Sequence, residues 1–501
     1  MEDIKLSSIY IRLKRFFDEY ERIWVFSPKG DHLANMQLLG LVKEVDLIYA
    51  VSTLGGESTK LIKSSMKSYR EWLETYEESF ERELENLKSQ NGKTLIVSPF
   101  PNRKLVQFIK NNPSLKITLI TTAKDLDTFY SIEDKIKFSY SLEEILGKSF
   151  KENIIPWKVL DIADDFKSFS DNEFSGSFFL QRSEASTGGD GTVLINNIDK
   201  YKYVITNNEW IAQIKSGSVK VSKEIKMCYP SNGTGCIIPK TDGGCYVYVD
   251  PPSHKPVKLK EFNIIKYDSA GNDWSNKFSQ EIDKQYINIV KLIGEYLFKK
   301  YGYTGIFGPD ALIVNSQDKK PILFINEINP RWQGTTPYQT LNALKNNRIP
   351  LEIIHYLLRF YEINNFPFDE INKLIDDEQT YNSNAMNEIG GFYIKIKCSG
   401  ENIVTNDLNG CWGINIDTFE IKKHDNYNDF IAVYTQKLKS ENPAIKFFFI
   451  KAPKKGEIVG DELVPVAYVF GSEIDVFEKD RPASTRLGKV IFDFCKSQMF
   501  A

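Results

Sequence analysis

The sequence predicts a mixed protein, α/β in its first 150 residues and α+β beyond them. Two patterns lead there. Between residues 23 and 120, four short apolar runs (23–26, 47–51, 94–97 and 117–120) alternate with helix-patterned segments, and the first three end in turn chemistry: SPKGD, STLGGE and SPFPN. Strands alternating with helices argue for a parallel sheet with helices on its faces. Ligands of such sheets sit beyond the carboxyl ends of the strands, so these turns are candidate substrate-facing loops. From residue 151 onward the strand-like runs are joined by Gly-, Ser- and Asp-rich turns. The Asp-Gly pair of TDGG at 241–244 is a strong hairpin signal.

At 501 residues the chain has room for about three domains of ~150 residues each. It is 42% hydrophobic and 26% charged, an ordinary globular mixture. A net charge of −3 offers no electrostatic reason to meet nucleic acid or an anionic membrane. The six cysteines are scattered without C-x-x-C spacing and read as the reduced thiols of a cytoplasmic protein. The four histidines form no H-x-x-x-H pair, so no zinc site is expected. The first residues are charged throughout, unlike a secretory leader, and no window approaches 18 consecutive apolar residues.

Taken in order, residues 1–22 read as an amphipathic helix and 58–90 as a charged helical face. Gly55-Gly56 lacks G-x-G-x-x-G and reads as a turn. Within 177–196, apolar runs at 178–180 and 193–195 flank a linker rich in Ser, Thr and Gly. Such a linker can bring backbone N–H groups close to phosphate oxygens, since glycine permits a side-chain-free approach; a plain hairpin would look the same. KVSKEIKM at 220–227 reads as a strand, and 231–257 as a hairpin of 236–238 with 246–249. The tail DPPSHKP puts His254 and Lys255 on a loop, either a plain surface loop or one touching substrate. A loop at 267–274 precedes a long helix at 277–301; Asn272 and Asp273 read as its cap residues, with a polar contact to substrate as the alternative. Helices at 338–346 and 351–361 follow, then an acidic, Asn-rich linker at 366–387. A final region carries the hairpin signals GGFYIKIK, KFFFIKAP and ELVPVAYVFG and a last helix at 485–497.

The chemistry concentrates at 321–336, PILFINEINPRWQGTT. An apolar run at 322–325 has the length and branching of a buried strand. Glu327, Asn329 and Arg331 then recur at a spacing of two, which on a strand sends all three to one face. Oxygen donors suit Mg²⁺, and a guanidinium suits a phosphoryl or carboxyl oxygen. Upstream, GYTGIFGPDALIV at 302–314 reads as a glycine-rich turn feeding a second strand with Asp310 at its start. Neighbouring carboxylates repel unless metal neutralises them.

Asp310 followed by Glu327-Ile-Asn329-Pro-Arg331 resembles the metal-binding end of ATP-grasp carboxylate ligases, the superfamily of biotin carboxylase and D-alanine ligase. The likeness covers residues 150–345 by motif and 1–150 by fold pattern alone. It implies an N-terminal α/β domain (1–150), a lid (151–226), a central metal-binding domain (227–350) and a C-terminal α+β region (351–501). ATP with Mg²⁺, two ions or Mn²⁺ in their place, would be held by Asp310, Glu327 and Asn329, with Arg331 as the catalytic cation. The resemblance sets Gly188, Gly189, Gly191 and Thr192 over the phosphates, and Lys223, Glu224 and Ile225 at the hinge that pairs with adenine. At the end of the strand before the glycine loop these proteins commonly place a Lys. Gln181 stands there instead and cannot supply charge, though its amide can donate to a phosphate oxygen. Arg182 can supply the charge, although the next residue on a strand points to the opposite face, and both are candidate nucleotide contacts.

Gln333, Gly334, His254 and Lys255 are the candidate substrate contacts. The implied reaction energises a small-molecule carboxylate as an acylphosphate and joins it to an amine, with an amino acid or short peptide as substrate. A carrier-protein thiol as acceptor, a carboxylase acting through carboxyphosphate, and a nucleotide-binding pseudoenzyme are the alternatives. A cytoplasmic location is expected, and a homodimer is compatible with the fold.

Overall fold

The computed structural model describes residues 2–28, 36–37, 39–51, 58–66, 68–147, 149–174, 176–183, 191–262, 264, 268–275, 277–316, 319–365, 367–388, 390–397, 402–424, 442–453, 455–456, 458–459, 467–472, 474–478 and 483–500. The chain begins with helix α1 (Glu2–Asp18), then strands β1 (Arg22–Phe26), β2 (Val45–Ala50) and β3 (Ser58–Lys63). Helices α2 (Tyr69–Glu74) and α3 (Glu78–Asn86) lead to β4 (Thr94–Val97), α4 (Arg103–Asn111) and β5 (Ile117–Ile120). The five strands pair in the order β3-β2-β1-β4-β5, and every pairing is parallel. β4 is buried along its whole length and β1 at all but its first residue, as strands covered by helices on both faces require.

One expectation fails here. Residues 58–90 do not form one helical face, because they open with β3. Its sequence, STKLIK, is mostly exposed at the sheet edge, where lysines and no apolar run are the rule. Only from Ser68, which caps α2 in a reciprocal box with Glu71, does the helical reading hold. Beyond β5 lie α5 (Leu126–Glu133) and α6 (Lys135–Leu146).

A four-stranded antiparallel sheet follows, built from β6 (Trp157–Val159), β7 (Phe178–Arg182), β8 (Thr192–Ile195) and β9 (Val219–Lys223). Their order is β6-β9-β7-β8. Helices α7 (Ile198–Thr206) and α8 (Asn208–Lys215) join β8 to β9, and the unit has its own aromatic core around Phe169, Phe174, Phe178 and Tyr201. The glycine pair Gly188 and Gly189 lies outside the described residues.

The third sheet is the largest. Strands β10 (Cys228–Asn232), β11 (Gly235–Pro239), β12 (Cys245–Val249), β13 (Ser253–His254) and β14 (Gly271–Asp273) lead to helix α9 (Gln280–Tyr301). Gly302 ends α9 in the left-handed conformation, φ 60°. The long hairpin of β15 (Gly305–Ser316) and β16 (Lys319–Asn329) follows, then helices α10 (Thr336–Lys345) and α11 (Leu351–Asn364). The β11–β12 pair is the antiparallel hairpin that TDGG announced.

Three further expectations are corrected. The loop at 267–274 contains β14, and Asn272 is buried rather than capping a helix. Its amide donates to Asn232 (2.6 Å) and to Ser253 (2.7 Å), while Ser279 caps α9. The linker at 366–387 is mostly two helices, α12 (Asp369–Leu374) and α13 (Glu378–Asn387), which bury Ile371 on the first and Tyr381, Asn382, Ala385 and Met386 on the second. That stripe is too short for periodicity to register.

Last, the C-terminal strand runs do not close local hairpins. β17 (Phe392–Ile396), β18 (Ile445–Lys451) and β19 (Ala467–Gly471) pair as β17-β19-β18, and β14 joins them to the central sheet. One sheet thus runs across residue 350. Helix α14 (Arg486–Met499), capped by Thr485, covers this end.

Among the described residues, no helix is long and apolar enough to cross a membrane. The Thr122 hydroxyl, just past β5, ties the parallel sheet to the end of the hairpin by donating to the Pro330 carbonyl at 2.7 Å.

Candidate active site

Asp310 and Glu327 face each other across β15 and β16, and the register shifts immediately beyond them, between Asp310 and Ala311. A bulge at that point re-aims side chains without ending the strands. Asp310 therefore lies within its strand and not at its start. It is buried, and burial drives its carboxyl above the usual carboxylate range, helped by the charge of Glu327 and opposed by Lys255. Burial also pushes Glu327 upward, but Lys135 and Lys255 outweigh it and hold Glu327 low. Two facing carboxylates, one buried and one half-buried, are stable only with cations around them.

Four cations converge on the pair from four parts of the chain. Lys255, just past β13, sets Nζ 2.7 Å from Asp310 Oδ2. Lys135, the first residue of α6, brings Nζ to 3.9 Å from Glu327 Oε2. Lys220 of β9 is buried, and burial with the nearby charge of Lys135 lowers its ammonium to about 8, opposed by Glu327. Arg331 follows β16; its Nη2 donates to Asn329 Oδ1 at 2.8 Å and its guanidinium lies 5.0 Å from the Tyr69 ring centre.

Gln333 completes the group. Its amide Nε2 donates to Asp310 Oδ1 at 3.2 Å, and a Cβ added at Gly308 would stand 2.1 Å from its side chain. Gly308 is thus the residue that lets Gln333 reach the carboxylate.

Of the residues singled out in the sequence, Asp310, Glu327, Asn329, Arg331, Gln333 and Lys255 are brought together. Gly334 lies in the turn after Gln333. His254 is not part of this group: it stacks on Phe278 with ring centres 4.1 Å apart, and burial lowers its imidazole to about 4. Nor are His254 and Lys255 on a surface loop, since β13 is paired on both sides. Lys223, Glu224 and Ile225 sit where the chain crosses from the four-stranded sheet to the central one. Thr192 pairs with Gln181, and Gly191 packs against the Arg182 side chain with φ +70°.

Arg182 is pulled away by partners of its own: it pairs with Glu209 at 2.5 Å and lies over Trp210. Gln181 is registered opposite Lys220, so the positive charge absent from β7 stands one strand over. Sequence reasoning missed Lys220, Lys135, Glu133 and Tyr69. For Lys220 a signal existed, since Val219 and Val221 are the apolar partners of an alternating strand that leaves Lys220 on the other face.

Among the described residues, no group of three or more His, Cys, Asp and Glu side chains could hold a metal ion. The donor set is two carboxylates and an amide oxygen, which is hard-oxygen chemistry and fits a cation that keeps water or phosphate ligands of its own.

Solved structures share this architecture. The biotin carboxylase domain dimer of Hydrogenobacter thermophilus 2-oxoglutarate carboxylase, in complex with MgADP, ADP and bicarbonate, matches with a TM-score of 0.54 at 11% identity, over 93% of this chain and 87% of that one. Biotin carboxylase from Campylobacter jejuni, in a β-γ-ATP complex, matches with a TM-score of 0.54 at 10% identity, over 90% and 87%. Rhizobium etli pyruvate carboxylase matches with 0.52 at 10% identity, over 93% of this chain and 35% of that one. No family profile matches the sequence, and no curated protein does. The chain has the ATP-grasp fold.

Proposed function

We propose that this protein is an ATP-dependent ligase that energises a substrate carboxylate as an acylphosphate and joins it to an amine, releasing ADP and phosphate. The observation that carries the reading is the facing Asp310–Glu327 pair, Asp310 buried and Glu327 half-buried, ringed by Lys135, Lys220, Lys255 and Arg331. A protein without chemistry to perform gains little from burying such a set. On an ATP-grasp fold, the arrangement fits a triphosphate gripped between the β15–β16 hairpin and the four-stranded sheet. Magnesium, held by Asp310, Glu327 and Asn329, would draw charge from the phosphate oxygens.

The chain's own residues then divide the work. Lys220 and Lys135 reach the phosphates from the lid side, taking the role that Gln181 cannot fill. Gly191, Thr192 and the glycine pair before them cover the same phosphates, and Lys223, Glu224 and Ile225 supply backbone to the base. Lys255 holds Asp310 ionised against the burial that would protonate it. Arg331 stabilises charge gathering on the transferred phosphoryl and on the tetrahedral centre, a donor role worth about 3 kcal/mol. Gln333 holds the Asp310 carboxylate, and with Gly334 borders the acyl group. An amino acid or short peptide is the proposed substrate.

The test is ADP release with MgATP, screened across pools of carboxylic acids with amine acceptors and with bicarbonate alone, followed by mass spectrometry of the product. Amine-dependent ADP release is expected. Release with bicarbonate and no amine would replace the ligase by a carboxylase, and a mass shift on an added carrier protein would move the acceptor to a thiol. Arg331→Met should still bind MgATP by calorimetry but form no product.

A further inference from the structure

Beyond the carboxylate pair, on the side of the parallel sheet, lies a second group of polar atoms that the phosphate chemistry does not use. Glu133, the last residue of α5, is 7% exposed, and neither of its oxygens has a hydrogen-bond partner. Its Oε1 stands 3.6 Å from Arg331 Nε, an ion-pair distance outside hydrogen-bond reach, and that Nε is likewise unpartnered. The buried Tyr69 hydroxyl has no partner either, while its ring lies under the same guanidinium and edge-on to Phe100 at 5.5 Å. A buried carboxylate with both oxygens unbonded is expensive, and folding tolerates it where a ligand supplies the donors.

The position in the fold agrees. Tyr69 follows β3 and Phe100 follows β4, beyond the carboxyl ends of the parallel strands where such sheets take their ligands, and Glu133 joins them through Arg331. Charge identifies the ligand. Lys255 and Lys135 are engaged with Asp310 and Glu327, and Lys220 faces the same pair. Glu133 is the carboxylate left over, and the Arg331 guanidinium at ion-pair distance from it is already held by Asn329 at its far end.

We infer that Glu133 and Tyr69, beside the Nε edge of Arg331, form the docking point for the primary ammonium of the acceptor amine. The inference rests on the ligase reading above. Arg331 then spans both halves of the reaction, with one edge toward the metal end and the other toward the acceptor. The proton balance also closes there. The bound ammonium gives one proton to the Glu133 carboxylate, and the freed nitrogen lone pair attacks the acylphosphate carbon. As the C–N bond forms, the C–O bond to the phosphoryl group breaks, and phosphate leaves with that electron pair and the second nitrogen proton. Burial raises Glu133 to about 7 despite Arg331 and Lys135, which suits a group that must take a proton near neutrality.

The experiment compares the wild-type chain, Glu133→Gln and Tyr69→Phe, each given MgATP and the twenty common amino acids as acids and as amines. Hydroxylamine, uncharged at neutral pH, competes as an acceptor that needs no ammonium pocket. Expected is a fall of about tenfold or more in the ratio of amide to hydroxamate for Glu133→Gln, carried by a raised KM for the amine, and a smaller fall for Tyr69→Phe. An unchanged ratio and amine KM in Glu133→Gln would overturn the inference and leave the ligase reading standing. If Glu133→Gln fails to fold by its melting curve, an unchanged amine KM in Tyr69→Phe overturns it instead. A wild-type chain that releases no ADP with any acid, hydroxylamine included, removes the ligase reading and the inference together.

Discussion

The β15–β16 hairpin and the four-stranded sheet of β6 to β9 both contribute to the candidate site, but they do so in different ways. The hairpin carries its donors in one stretch: Asp310, Glu327, Asn329 and Arg331 fall within 22 residues, and pairing brings the first two face to face. In the four-stranded sheet the charge has moved. The strand before the glycine loop ends in Gln181, Arg182 is tied to Glu209, and the buried cation is Lys220 on the neighbouring strand. A ladder fixes which positions share a face, and any strand of that face can supply the group. Metal ligands must meet at one point in a fixed geometry, whereas a phosphate oxygen accepts an ammonium from many directions.

Breaking the hairpin should have the largest effect. Glu327→Ala and Asn329→Ala should each cut ADP release by about a thousandfold with the circular dichroism spectrum unchanged. Full turnover in either would remove the metal assignment. Next comes the relocated charge. Lys220→Met should weaken MgATP binding by about ten- to a hundredfold by calorimetry, while Arg182→Met, already spent on Glu209, should change it by less than about twofold. Equal effects from the two would mean that the charge had not moved.

Gly308→Ala should then cost about 1–3 kcal/mol in denaturant midpoint, because its Cβ would meet the Gln333 side chain at 2.1 Å and push it off Asp310. A wild-type midpoint would show that Gln333 is free to move aside.

A pH-dependent effect on stability is expected at Glu133. Glu133 holds its proton up to about pH 7 when folded and up to about 4.5 in an ordinary setting. Between those values the folded chain binds more protons than the unfolded one, so stability falls as pH rises through the window. Glu133→Gln should abolish that fall and be more stable than the wild type above pH 7, by at most about 3–4 kcal/mol. Parallel stability curves for the two proteins would show that Glu133 is not strained in the folded chain.

Much of the fold was legible, for reasons tied to particular elements. β1, β2 and β4 announce themselves because strands buried on both faces read as apolar runs, and β5 keeps such a run although it is a half-buried edge strand. β3 escapes that test as an exposed edge, and α12 and α13 escape because they bury little. The sheet that runs from β14 into β17 was invisible, since strands more than a hundred residues apart leave no local mark of their pairing.

The chain by itself determined the Asp310–Arg331 donor set and the parallel class of the first sheet, because both follow from alternation along a few consecutive residues. Only the tertiary structure decided that Lys135, Lys220 and Lys255 would ring the carboxylates, that Arg182 would not, and that Glu133 and Tyr69 would meet Arg331. A lysine destined for a buried site is written like one destined for water. What separates them is the through-space distance to an opposite charge, and that distance exists only once the sheets have closed on one another.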